Sequence, residues 1–288
     1  MEIKKILVCH DFTQEADCAV NHAIGVGKAP NAEIVLVHIL DKKSLEQLRK
    51  EKKDVTDIEA KLQKVCDGIA AAGLRATFIA REGDIFSTIA EIGEEIEASL
   101  IIFGTHGVKG MQHILGAFAL KLVVSAKSPV VIVQRRNIRP HGYKKIVLPV
   151  DEGDYCKQMA RPVAQLARMF GAEGLVRPKH VSDDHFRTYV RNSSNYVRKV
   201  LEEENATFSI AEPINNGSFH KQVLEYASAQ DADLISIITQ EKMDRDVKEL
   251  FVGSEDVRII NNAPEIPTLC INAFNALLAG GVMGVSSS

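Results

Sequence analysis

Two short stretches carry the groups best suited to holding an anion. One is Gly104-Thr105-His106-Gly107, separated by the eight residues Val108–Leu115 from Gly116-Ala117-Phe118. Glycine has no Cβ, so its N–H can come close to phosphate oxygens, and a helix opening at Gly116 would add its positive end at the same spot. The other is Cys9-His10-Asp11-Phe12-Thr13. The Asp11 carboxylate can accept hydrogen bonds from sugar hydroxyls or a base edge, or help to hold a metal ion. Spacing alone leaves a plainer reading open, because a glycine after a strand often does no more than turn the chain.

These stretches meet only if they leave neighbouring strands at one edge of a sheet, and the sequence is organised to allow that. It repeats itself. Lys4-Lys5-Ile6-Leu7-Val8 returns as Lys144-Lys145-Ile146-Val147-Leu148, each run leading to an aspartate, Asp11 and Asp151. Ala76-Thr77-Phe78 is matched by Ala206-Thr207-Phe208, Ala98–Ile102 by Ala232–Ser236, and Pro129–Ile132 more loosely by Pro267–Cys270. The partners lie 130 to 140 residues apart, the mark of a duplicated domain. Inside the first copy, apolar β-branched runs at Ile3–Val8, Ile34–Leu40, Ala76–Ala80, Leu100–Phe103 and Val130–Val133 suit strands buried on both faces of a parallel sheet. Helical patterns lie between them: Ala16, Val20, Ala23 and Ile24 behind a capping Thr13, a charged stretch from Ser44 to Ala72 ending at Gly73, and Ile85, Ile89, Ile92 and Ile96. Strands alternating with helices predict an α/β fold of two doubly wound five-stranded parallel-sheet domains packed as a pseudo-dimer. The expected boundaries are 1–138 and 143–273, with the connector at Arg135–Tyr143 and a fraying tail at 274–288 whose Phe274, Leu277 and Leu278 could dock on the body.

Bulk composition narrows the function classes. The chain has 288 residues, 45% apolar and 25% charged, enough for two domains with a core each. A net charge of −3, with no basic excess or basic face standing out, argues against a nucleic-acid binder. The lysines from Lys42 to Lys53 are interleaved with Glu46 and Glu51 and read as a solvated helix face. No apolar run reaches the roughly 18 residues of a membrane span, and Met1–His10 lacks the apolar core of a signal peptide. Five scattered cysteines without a Cys-x-x-Cys pair suggest reduced thiols and a cytoplasmic location, which would leave the sequons at Asn192 and Asn205 without meaning.

The chain resembles the universal stress protein family in its tandem-domain form. The resemblance is carried by Lys4–Val8 leading to Asp11, His38 near the end of the second strand, and Glu82-Gly83-Asp84 before the next helix. Its most specific part is Leu100–Gly107 running on to Gly116, Lys121 and Ser128-Pro129-Val130. It covers residues 2–134 and, more faintly, 144–272. It implies a five-stranded fold like that of the adenine nucleotide alpha hydrolases and, as in many members, binding of ATP or AMP, with Mg²⁺ as a companion. The family motif is glycine, two residues, glycine, nine residues, then glycine and serine or threonine. By that motif Gly104, Gly107 and Gly116 are its glycines and Asp11 its acidic nucleotide contact, Ile39 flanks adenine through its backbone, and Phe118 offers a backbone N–H to phosphate. With their neighbours, the expected nucleotide site comprises Cys9, His10, Asp11, Ile39, Phe103, Gly104, His106, Gly107, Gly116, Ala117 and Phe118.

The sequence departs from the motif twice: the spacer is eight residues, and Ala117 stands where a hydroxyl belongs. A lost hydrogen bond to a charged group is worth roughly 1.5–3 kcal/mol, so the site is weakened and not abolished. In the second copy the matching loop, Ile238-Thr239-Gln240-Glu241, has no glycines and places an acid where phosphate would lie, although Gly253-Ser254 survives. That copy is expected to pair with the first and bind nothing, imitating the homodimer of single-domain relatives. Tandem chains pairing again, and a protein partner, are further expectations. A zinc site at Cys9, His10, His38 and His106 lacks helix ligand spacing, and adjacent Cys9 and His10 point to opposite faces of a strand, which spoils a nucleophile–base pair. No enzyme activity is expected beyond incidental ATP hydrolysis. The rival reading is a nucleotide-free scaffold acting through surface contacts.

Overall fold

The computed structural model describes residues 2–105, 112–153, 155–239 and 255–273, with residues 112–118 as backbone only. In the first half the order is β1 (Lys5–Cys9), α1 (Gln14–Gly27), β2 (Glu33–Leu40), α2 (Lys42–Glu51), α3 (Val55–Ala71), β3 (Ala76–Glu82), α4 (Ile85–Glu95), β4 (Leu100–Gly104), α5 (Gln112–Ser125) and β5 (Val130–Val133). The second half continues with β6 (Lys145–Val150), α6 (Cys156–Phe170), β7 (Glu173–Pro178), α7 (Asp184–Glu203), β8 (Thr207–Ile210), α8 (Phe219–Ala229), β9 (Leu234–Thr239), α9 (Glu255–Ile260) and β10 (Thr268–Asn272).

The apolar runs form strands because helices cover both of their faces. Ile6, Leu7 and Val8 of β1 and Leu100, Ile101 and Ile102 of β4 are all buried. Strand order is β3-β2-β1-β4-β5 in the first half and β8-β7-β6-β9-β10 in the second, the same doubly wound plan twice. Within each half every pair is parallel, as in Leu7 opposite Val35 and Ile101. The two five-stranded units do not remain separate sheets. β5 and β10 pair antiparallel, Val131 opposite Leu269, and close one ten-stranded sheet. The hydrophobic core on each face of that sheet also draws residues from both halves: Ala23 and Leu62 share one with Ala160 and Val197, and Ile89 and Val123 share the other with Val223 and Val257.

Polar ties reinforce the junction. His22, in the middle of α1, is fully buried, with Nδ1 2.8 Å from the Tyr143 hydroxyl and Nε2 2.9 Å from the Arg136 carbonyl. Asp233 accepts the backbone N–H groups of Lys144 and Lys145 at 2.8 and 3.0 Å and faces the Arg139 guanidinium at 3.3 Å. Gln134 donates across the seam to the carbonyls of Ile260 and Asn262.

Local structure follows the expected pattern with two corrections. Thr13 does cap α1, accepting the Ala16 N–H. The charged stretch from Ser44 to Ala72 is two helices, not one. Lys52 turns left-handed with φ of 55° and ends α2, and a reciprocal capping box between Asp54 and Asp57 starts α3. The second correction concerns Gly116, which does not open a helix. α5 begins at Gln112, so Gly116, Ala117 and Phe118 lie after its first turn. Strand ends shift by a residue or two, β1 running to Cys9 and β3 to Glu82. Residues 274–288 lie outside the described residues, and among the described residues no helix is long and apolar enough to cross a membrane.

Candidate functional site

At the point where strand order reverses between β1 and β4, their diverging crossovers leave a crevice beyond the carboxyl ends of the strands. The cavity there has a volume of ≈ 460 Å³, within the range of small-ligand sites. Its floor is Cys9–Phe12 after β1, Val37–Leu40 of β2 and Phe103–Thr105 at the end of β4. One wall is Ile85, Phe86 and Ile89 of α4, and the rim comes from α2, Lys53 and α3. Ile85 therefore leaves the buried stripe its spacing suggests, being 37% exposed, while Ile89 and Ile92 stay buried.

Cys9, His10, Asp11, Ile39, Phe103 and Gly104, drawn from three different strands, are brought together around this cavity. His106 and Gly107 lie outside the described residues, as do the Gln240, Glu241 and Gly253-Ser254 positions of the second half. Gly116, Ala117 and Phe118 are placed by the backbone of α5 alone.

Asp11 is exposed. Its Oδ1 accepts from the Thr13 N–H at 3.1 Å and the Thr13 hydroxyl at 2.5 Å, a turn that fixes the carboxylate at the cavity lining, while Oδ2 takes no bond among the described residues. Its counterpart Asp151 is half-buried, with Oδ1 bound by the Gly153 N–H at 2.9 Å. Burial pushes the Asp151 carboxyl upward, and the neighbouring acids Glu152 and Glu255 add to the shift. A carboxyl whose charge is disfavoured accepts sugar hydroxyls less well, so the two first-strand aspartates sit in different chemical surroundings.

His10 is buried and bound on both ring nitrogens. Nε2 is 3.2 Å from Asp17 Oδ1, and Nδ1 accepts the Phe12 N–H at 3.3 Å. Burial lowers its basicity, partly offset by Asp17. His38 donates Nδ1–H to the His10 carbonyl at 2.7 Å. These bonds leave no nitrogen of His10 for Cys9, whose thiol is pushed well up by burial and by Asp11 and stays protonated. Among the described residues no three acids, histidines or cysteines are grouped to hold a metal ion.

Gly104 has a role its spacing does not reveal. A Cβ there would lie 2.4 Å from the Glu15 carbonyl oxygen and 2.9 Å from the Ala16 nitrogen, so the first turn of α1 packs directly on the backbone at the end of β4. Glu15 is itself buried and tied to Arg135 at 2.7 Å. Phe12 is the other contributor that sequence reasoning passes over. It is left-handed with φ of 66°, and its ring lies 5.0 Å from that of His38 and beneath the Lys61 ammonium.

Comparison with known proteins agrees with this architecture. The family model described as the universal stress protein family matches residues 2–134. The universal stress protein MJ0577 of Methanocaldococcus jannaschii is 26% identical over 156 residues, spanning 46% of this chain and 96% of its own length. Two crystal structures cover both halves. A universal stress protein of Archaeoglobus fulgidus aligns over 95% of this chain and all of its own, with a TM-score of 0.74 at 19% identity. A Pseudomonas aeruginosa protein of unknown function, PA1789, aligns over 97% and 98% with a TM-score of 0.66 at 18% identity. At those identities the two structures speak to the fold alone. The first half thus matches the universal stress protein family over residues 2–134, and the second half builds the same strand order again.

Proposed function

We propose that the first half, residues 1–138, binds an adenine nucleotide, ATP or AMP with Mg²⁺, and that the protein acts in the cytoplasm as a stress-response regulator and not as an enzyme. The second half, residues 143–273, serves as its permanent pairing partner with a degenerate site. One observation carries the reading: an open cavity of ≈ 460 Å³ at the switch point, with Asp11 free to accept bonds on one side and the β2 backbone at Ile39 on the other. Cys9, His10, Phe103 and Gly104 also line it, and His106, Gly107, Gly116, Ala117 and Phe118 are assigned to the phosphate side by the family motif. The protonated Cys9 thiol and the saturated His10 ring argue for binding over catalysis.

A ligand at a hundred times its dissociation constant stabilises a protein by about 2.7 kcal/mol. Millimolar ATP or AMP with Mg²⁺ is therefore expected to raise the melting temperature by several degrees. Gly107→Glu, which installs the acid that the second half carries at Glu241, should remove that rise while leaving the unliganded melt unchanged. No rise with either nucleotide rejects the binding role. The nucleotide-free scaffold would then stand, a reading favoured by Ala117 and the eight-residue spacer.

A further inference from the structure

We infer that Lys61 meets an anionic group of the ligand in the first crevice and that Phe12 positions it there, an inference that rests on the nucleotide reading above. Two ammonium groups line the cavity, Lys53 and Lys61. Lys53 is committed to Glu51 at 2.6 Å. Lys61 takes no carboxylate and no hydrogen bond among the described residues; it rests over the face of Phe12, with Nζ 5.2 Å from the ring centroid. A cation over an aromatic face is held without being neutralised, and with Glu51 near it but bonded to Lys53 and Gln47, the Lys61 ammonium remains available to an entering anion.

Both partners are fixed from below. Ile58, Leu62, Cys66 and Ile69 bury one stripe of α3, and the capping box at Asp54 anchors its start, which sets the backbone of Lys61. Phe12 is held by its N–H bond to His10 and flanked by the rings of His10 and His38 at 5.2 and 5.0 Å. A left-handed backbone at a bulky residue is uncommon and persists where its surroundings impose it. Here it turns the ring into the crevice beneath Lys61. A long side chain that is already ordered loses less freedom on meeting its ligand. The pair thus supplies a charged donor in a site whose motif hydroxyl is replaced by Ala117.

The test is calorimetric titration of the full chain at low salt with adenosine, AMP, ATP and tripolyphosphate, using wild type, Lys61→Gln and Phe12→Leu, each checked by circular dichroism and melting. Lys61→Gln is expected to weaken AMP and ATP about tenfold, as loss of a charge-assisted bond should, and to leave adenosine within twofold. Phe12→Leu should weaken the same two ligands about threefold, and 0.5 M salt should shrink both effects. Wild-type-like binding of AMP and ATP by Lys61→Gln overturns the role of Lys61. An equal loss for adenosine does so too, because it marks a structural effect, and an unchanged Phe12→Leu overturns the positioning role of Phe12. A wild type that binds adenosine as tightly as ATP rejects this inference and keeps the crevice as a nucleoside site. Failure to bind any of the four ligands rejects both.

Discussion

Replacing Gly104 with alanine is expected to destabilise the protein by about 3 kcal/mol and to lower its melting temperature by roughly 5–10 °C. The added methyl would stand 2.4 Å from the Glu15 carbonyl oxygen and 2.6 Å from its carbon. Both are backbone atoms of the first turn of α1, so no rotamer change relieves the clash. The helix cannot swing away cheaply, because Ala16 and Ala19 are buried and Glu15 is tied to Arg135. Relief has to come from displacing α1 or the end of β4, and the loop Asp11–Thr13 that begins α1 would move with it. Gly68 supplies the opposite control. It lies exposed in α3, and a methyl added there would meet nothing within 4 Å, so Gly68→Ala should stabilise by about 0.5–1 kcal/mol. Equal melting temperatures for the two variants would refute the packing role assigned to Gly104.

Acid is expected to weaken the protein through His22. Burial lowers this histidine from 6.5 to about 4, with a smaller contribution from the nearby Arg136 charge. Its neighbours fix the neutral ring: Nε2–H donates to the Arg136 carbonyl and Nδ1 accepts from the Tyr143 hydroxyl. Between about pH 6.5 and 4 the unfolded chain therefore binds a proton that the folded chain refuses. Stability attributable to His22 is complete above about pH 6.5, falls as the pH drops toward 4, and amounts to about 3 kcal/mol over that window. His10 is shifted the same way and Asp151 the opposite way, so the measurement is a comparison. Urea unfolding of wild type and His22→Gln should show a large gap at about pH 7.5 that closes by about 3 kcal/mol at about pH 4.5. A gap that does not change with pH would exclude His22 as the source.

These residues show where sequence reading succeeds and where it stops. The strands are legible because Ile6–Val8 and Leu100–Ile102 are apolar on both faces, a pattern that a sheet covered by helices imposes locally. The duplication is legible because both copies keep an aspartate after the first strand. The break between α2 and α3 is in principle readable from Asp54 and Asp57, three residues apart, but the continuous charge pattern masks it. Gly104 stands out in the sequence for an incomplete reason. Its spacing suggests an exposed N–H, whereas the close approach of Glu15 depends on how α1 crosses β4. His22 carries no local sign at all. Its partners, Arg136 and Tyr143, are remote in sequence and meet it only through the way the connector folds back on α1. Lys61 goes unmarked inside the charged stretch from Ser44 to Ala72, and only the left-handed turn at Phe12 beneath it sets it apart.

The antiparallel join of β5 to β10 has a directional consequence. Strands inside each half run one way and those of the other half run back, so the two switch points look out from opposite rims of a single plate. Strands of five or six residues put about 16–20 Å of hydrogen-bonded sheet between those rims. An occupant of the first switch point therefore lies on the opposite rim from Asp151 of the second half and cannot touch it.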